Sequence, residues 1–195
     1  KNEKQALKRF INKTYSFKIL LIPFILFMSS LLLFLPSPIS SKPHYILIVL
    51  VGVVFQGLTP SWFFQGIESL KHIALSKIFF RFVALILILL LVKLKNDGWI
   101  FLAINSFTSI SIFIFLFLSM IKNIGMIKPY FFKDIISFLN ELKSGFFITL
   151  IPVFHQNLIA LLVGLYFEPI KLGLFLGASK IYRSVNSLYG PAADA

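Results

Sequence analysis

Two cations stand inside an otherwise apolar stretch near the end of the chain: Lys180 and Arg183, within Leu172–Tyr189. A cation at the centre of a bilayer costs about 2.5–3.5 kcal/mol on insertion scales, so such residues persist mainly where they face water and meet an anion. On a helical wheel, Asn186, Ser179, Arg183, Ser187, Lys180 and Ser184 share one arc of roughly 160°, while Ile181, Tyr182, Val185, Leu188 and Tyr189 fill the remainder. One face is therefore wet and cationic, and the other suits lipid or neighbouring helices. Arg183 can hold phosphate oxygens bidentately, and Lys180 adds a point charge one turn away. The competing reading is that both side chains snorkel to an interface, for which Lys180 is the better placed of the two.

The preceding apolar stretch carries Thr149, Pro152, His155, Gln156 and Asn157. Pro152 removes one helix hydrogen bond and frees the carbonyl of Ile148. A kinked, polar helix beside a cationic one is what the wall of an alternating-access cavity requires. The alternative is that Gln156 and Asn157 only hydrogen-bond to another helix. His155 is a candidate for proton coupling, although a lone histidine is more often structural. Anion-binding candidates are thus Arg183, Lys180, Asn186, Gln156 and Asn157.

These residues need membrane-spanning helices to position them. Of the 195 residues, 58% are hydrophobic and only 13% charged, with mean hydropathy +0.91. Several stretches approach the ~20 apolar residues that cross a bilayer. Cysteine is absent, which removes disulfides, thiolate nucleophiles and thiolate metal sites. No Gly-rich phosphate loop, paired carboxylate or metal-spaced His/Asp/Glu cluster is visible, so neither catalysis nor a cofactor is expected. The net charge of +12 would suggest nucleic acid in a soluble protein. Here the cations cluster between apolar stretches, which fits membrane topology and argues against a nucleic-acid partner.

Six spans are expected, near Ile19–Leu35, Tyr45–Gln65, Ile78–Val92, Trp99–Ile121, Phe146–Phe167 and Leu172–Gly190. The fold class is all-α, a polytopic transmembrane bundle. Thirteen basic residues fall on one side of these spans and four on the other, which places the first side in the cytoplasm. The polar, basic start and abrupt end suggest an internal stretch of a longer protein. Between the fourth and fifth spans, Phe131, Ile135, Phe138, Leu139 and Leu142 line one face of a segment that follows Pro129. That pattern predicts an amphipathic helix along the membrane surface, linking two halves. In the fourth span, Asn105, Ser106, Thr108, Ser109 and Ser111 are read as close-packing residues.

The second span ends in Thr59-Pro60-Ser61-Trp62-Phe63-Phe64-Gln65-Gly66-Ile67-Glu68-Ser69-Leu70-Lys71. Trp62 suits an interfacial aromatic belt, Pro60 and Gly66 bend and end the helix, and Glu68 can pair with Lys71. By physics alone this is an interfacial anchor and turn.

Pro60–Glu68 also resembles the P-x-W-F-F-Q-G-x-E signature of bacterial O-antigen and polysaccharide flippases, members of the multidrug/oligosaccharidyl-lipid/polysaccharide exporter superfamily. Gly177–Ser184 is similar to that family's A-x-K-I-x-R stretch, and Pro191–Ala195 resembles the start of its P-x-x-x-A-L-Y-P turn, with departures. The resemblance implies a twelve-helix, two-lobe transporter of which the six spans are helices three to eight. Residues 1–128 would then belong to the N-lobe, 129–145 to an interlobe linker and 146–195 to the start of the C-lobe. It further implies a multi-pass protein of the bacterial inner membrane that flips an undecaprenyl-pyrophosphate-linked oligosaccharide. Membrane lipid and other polysaccharide-assembly proteins are the expected partners. Trp62, Gln65, Gly66 and Glu68 become a cytoplasmic gate or structural motif. Two rival readings remain: a cation-coupled drug exporter, which wants an intramembrane carboxylate, and a membrane-embedded glycan polymerase or ligase, which wants a large outer loop.

Overall fold

The structure, a computed structural model, describes residues 2–31, 43–94, 96–125, 150–151, 153–155 and 157–193. The described chain is helical: α1 (Asn2–Leu31), α2 (Pro43–Leu58), α3 (Ser61–Gly66), α4 (Leu70–Leu91), α5 (Gly98–Ile124), α6 (Val153–Tyr166) and α7 (Pro169–Ala193). Among the described residues, four stretches are long and apolar enough to cross a membrane, against the six spans expected: Ala6–Ser30, His44–Gly66, Leu70–Leu91 and Gly98–Ile124. The helices at the expected fifth and sixth spans are not among them, Val153–Tyr166 being shorter and Pro169–Ala193 diluted by its polar and charged residues. Large apolar side chains remain exposed along all four, as expected where lipid is the solvent. This is a polytopic helical membrane protein. The chain divides into two units, Lys1–Phe138 and Leu139–Ala195. The expected linker helix at 129–145 lies outside the described residues.

In the first unit α5 is central. It packs most extensively against α2 on one side and α4 on the other; α1 packs on α2, and α3 on α4. The α2–α5 contact is tight for a local reason. A Cβ added to Gly52 would stand 2.6 Å from Ser106 Oγ and 3.0 Å from Ser106 Cα. Ser106 uses that closeness to donate its hydroxyl to the Ile48 carbonyl at 2.7 Å. The other small polar residues named for packing behave differently. Asn105, Thr108, Ser109 and Ser111 each bond back to a carbonyl one turn earlier on α5.

Three span boundaries differ from the sequence reading. The basic prefix before Ile19 is helical and continuous with the first span, because Ile11, Asn12, Tyr15 and Ser16 give it a buried face. The third span begins at Leu70 rather than Ile78, so Lys71 and Lys77 sit on α4 and Arg81 in its middle rather than at its edge. The second span breaks at Thr59-Pro60 into α2 and α3. Pro60 has no N–H to continue the helix ladder.

That break leaves the carbonyls of the last turn of α2 without intrahelical donors. All are satisfied. Thr59 N–H and Oγ1–H both reach the Phe55 carbonyl, and the same N–H also approaches that of Gln56. Lys18 Nζ donates to the Gly57 carbonyl at 2.7 Å, and Tyr15 OH to that of Leu58 at 3.0 Å. Both come from α1. A second α1 cation, Lys8, sits with Nζ 3.3 Å from the Cβ position of Gly125, the left-handed residue that ends α5. Two helices therefore present their negative C-terminal ends to lysines of α1. At the other end of the unit, Asp97 Oδ2 accepts from the N–H groups of Leu94 and Lys93. Those two bonds hold its carboxyl below the usual range and tie the α4–α5 turn.

The described residues of the second unit form a helical hairpin. The Phe167 N–H closes α6 on the Val163 carbonyl, and that of Leu172 opens α7 on the Glu168 carbonyl. Gly164 lets the two helices approach, since a Cβ there would meet Leu172 Cδ2 at 3.3 Å.

Gly52→Ala is expected to destabilise the protein by about 1–3 kcal/mol through overpacking. Detergent-solubilised thermal unfolding checks this, and adding Ser106→Gly, which removes the Oγ clash, is expected to restore part of the loss. Tyr15→Phe strands the Leu58 carbonyl at the α2 break and is expected to cost about 1–3 kcal/mol in the same assay.

Candidate functional site

Two regions hold the residues singled out by sequence, one in each unit. The first is the Pro60–Glu68 motif. The break at Pro60 redirects the chain so that α3 drives Phe63 and Phe64 inward, where they are 3% and 2% exposed. They join Ile11 and Tyr15 of α1, Ile73 of α4, and Ile112, Leu116 and Met120 of α5 in one cluster. This core gathers the first half of α1, α3, the start of α4 and the end of α5, so it lies at the basic end of the unit.

Trp62 belongs to the same assembly and is half-buried rather than displayed as an anchor. Its ring meets Phe10 edge-on at 6.0 Å and Tyr15 at 6.2 Å, and Lys18 Nζ lies 5.8 Å from its centroid. The indole Nε1 is buried without a hydrogen-bond partner. Lys18 thus serves two neighbours at once, the Gly57 carbonyl and the Trp62 ring.

Gln65, Gly66 and Glu68 are exposed. Their backbone does the structural work. Ser69 N–H bonds to the Phe64 carbonyl at 2.8 Å and Glu68 N–H to that of Gln65 at 3.1 Å. Together with φ +55° at Glu68, this is a Schellman helix end with glutamate where glycine is usual. The left-handed turn carries Glu68 away from Lys71, and the two form no ion pair, contrary to the pairing expected from their spacing. Beyond the turn, Ser69 Oγ contacts His72 Nδ1 at 2.8 Å, and the His72 ring stacks on Phe64 at 5.9 Å. The left-handed glutamate is therefore held in place from both sides.

The second region is α7, one continuous helix from Pro169 to Ala193. It carries through Gly190 and Pro191, where the sequence reading ended the span. Lys180 and Arg183 are both exposed, Ser179 is half-buried, and Ser184 Oγ donates to the Lys180 carbonyl at 2.9 Å. The helical placement assumed for the cationic arc therefore holds over residues 179–184. Asn186 follows on the same helix. On α6, His155 is exposed, and Asn157 Nδ2 donates to the Val153 carbonyl of its own helix at 2.7 Å. Gln156 and Pro152 lie outside the described residues. Glu168 is the acidic residue of this described hairpin, at the turn rather than within either helix. No group of three or more metal-ligating side chains occurs among the described residues.

Sequence reasoning missed Tyr15 and Lys18. Their signal was present but indirect: a proline that cuts α2 short creates stranded carbonyls, and a basic segment of another helix supplies donors. Replacing Glu68 with glycine removes the left-handed penalty, and Glu68→Gly is expected to raise stability by about 1 kcal/mol in thermal unfolding.

The comparisons bear on both regions. Neither the curated proteins nor the solved structures contain a match to this chain. The sequence model of one family, described as polysaccharide biosynthesis protein, matches residues 1–195 and so spans the aromatic motif and the cationic helix alike. Members of that family are generally transporters or flippases. With an all-helical, membrane-spanning fold and a match along its whole length, this chain belongs to the polysaccharide biosynthesis protein family.

Proposed function

We propose that the protein moves an undecaprenyl-pyrophosphate-linked oligosaccharide, such as an O-antigen repeat unit, from the cytoplasmic to the outer leaflet of the bacterial inner membrane. The observation that carries this reading is the pair of exposed cations, Lys180 and Arg183, one turn apart on α7, with no ion pair to either among the described residues. Family membership supports a polysaccharide-related, lipid-linked cargo.

No covalent bond changes in such a process. Arg183 holds pyrophosphate oxygens through its planar fork, and Lys180 adds charge one turn before it. Asn186, Gln156 and Asn157 contribute hydrogen bonds to the phosphate or the first sugar. Translocation follows from differential affinity for inward- and outward-facing states. The basic end of the first unit lies in the cytoplasm under this reading, in keeping with the charge bias. A drug exporter wants a carboxylate inside a span. In the described helices, Glu68 and Glu168 stand at helix ends, so nothing here favours that alternative.

The protein is expected to restore surface polysaccharide in a strain that makes its cognate glycan and lacks its own flippase, read by electrophoresis of the extracted polysaccharide. Arg183→Ala is expected to abolish restoration while the variant still accumulates in the membrane fraction. Equal restoration by the variant removes Arg183 from the site, and failure of the wild type with its cognate glycan removes the flippase reading.

A further inference from the structure

Arg81 occupies the middle of α4, which runs as one helix from Leu70 to Leu91. The inner face of this helix is marked by buried Ile73, Ser76 and Ala84. Arg81 flanks that face, about a quarter-turn round the helix from Ile73, and is exposed beside Ile78, Phe82 and Leu85, which are 66%, 61% and 52% exposed. Beyond Arg81 the helix contains no charged residue, and Leu89 extends the same apolar surface. In a membrane protein that surface stands against acyl chains, where an uncompensated guanidinium is costly.

The charge has a way out. Cα–Cβ bonds tilt toward a helix N-terminus, so the Arg81 side chain leans back toward the start of α4 and the basic end of the unit. Lys77 lies one turn earlier, half-buried at the edge of the inner face, with its Cβ about 5–6 Å from that of Arg81 at this spacing. Neither residue is ion-paired among the described residues. The elements that pack on α4 are α5 and α3, and neither sequence contains an acidic residue. Among the described residues, the helices packed most on α4 therefore supply no counter-ion to either cation.

We propose that Lys77 and Arg81 hold the phosphate of an anionic phospholipid, whose acyl chains lie along Phe82, Leu85 and Leu89. An anionic headgroup fits better than a zwitterionic one, because two cations repel the ammonium that a zwitterionic lipid brings with its phosphate. Other cations of the same end, among them Lys8, Arg9, Lys71 and Lys122, enrich anionic lipid there. The bound lipid is a constituent of the bilayer and not the cargo, so this inference does not depend on the flippase reading.

The test is native mass spectrometry of the detergent-solubilised protein titrated with phosphatidylglycerol or with phosphatidylcholine of identical chains. The wild type is expected to retain phosphatidylglycerol in preference. Lys77→Gln combined with Arg81→Gln is expected to weaken that retention about thirtyfold, the value for two basic groups near the surface. Lys71→Gln combined with Lys122→Gln is the charge-matched control and is expected to keep the preference. If the double variant does not fold, Arg81→Lys serves instead, with retention reduced but not lost. Equal retention of the two lipids by the wild type overturns the proposal, as does undiminished retention in the site variants. Displacement of phosphatidylglycerol by an equimolar polyprenyl diphosphate also overturns it, by making the pair a cargo site.

Discussion

The broken end of α2 is the constraint on which the first unit depends. A proline at position 60, itself buried, stops the helix, and carbonyls stranded away from water are expensive. Tyr15 and Lys18 remove that cost from a neighbouring helix, and in doing so fix where α1 lies. Once α1 is placed, its apolar face meets Phe63 and Phe64, and the aromatic cluster closes around them. The break, the cap and the plug are one arrangement. Each part gives the others their geometry.

This arrangement explains an unusual distribution of burial. In a soluble bundle the core runs along the helix axes. Here it concentrates at the basic end, and long stretches of α4 and α5 keep large apolar side chains exposed. Association between helices inside lipid has no hydrophobic drive, so packing there relies on close approach and polar contacts. The Gly52–Ser106 contact is of that kind. At the basic end, where water is near, aromatic burial regains its usual strength.

Cations then fall into distinct roles by what surrounds them. Lys18 caps a helix and faces an indole. Lys8 sits at the negative end of α5. Lys180 and Arg183 stand exposed on α7, and Arg81 stands exposed on α4 in an apolar surface. A total charge of +12 does not distinguish these uses. Only the local partner does, because a cation that has found a carbonyl or a ring is spent on structure, and one that has not is available to an anion.

Much was legible in the amino-acid sequence alone. Hydropathy and length determined an all-helical membrane protein, since a bilayer admits little else at this composition. The aromatic motif and the A-x-K-I-x-R stretch pointed to the family that the whole chain matches. Helical periodicity put Lys180 and Arg183 together on α7. Tertiary structure decided the rest. Of five small polar residues on α5, contact with Gly52 selected Ser106 as the one that bridges to α2. Packing against α3 and α5 extended α4 backward to Leu70 and moved Arg81 from a span's edge to its middle. Glu68 was read as a charge, and its backbone proved to be what the motif uses. The reason is common to all three. Periodicity reports which face a residue occupies, but the groups that will satisfy or crowd it come from helices distant in sequence, and their approach is known only once the chain has folded.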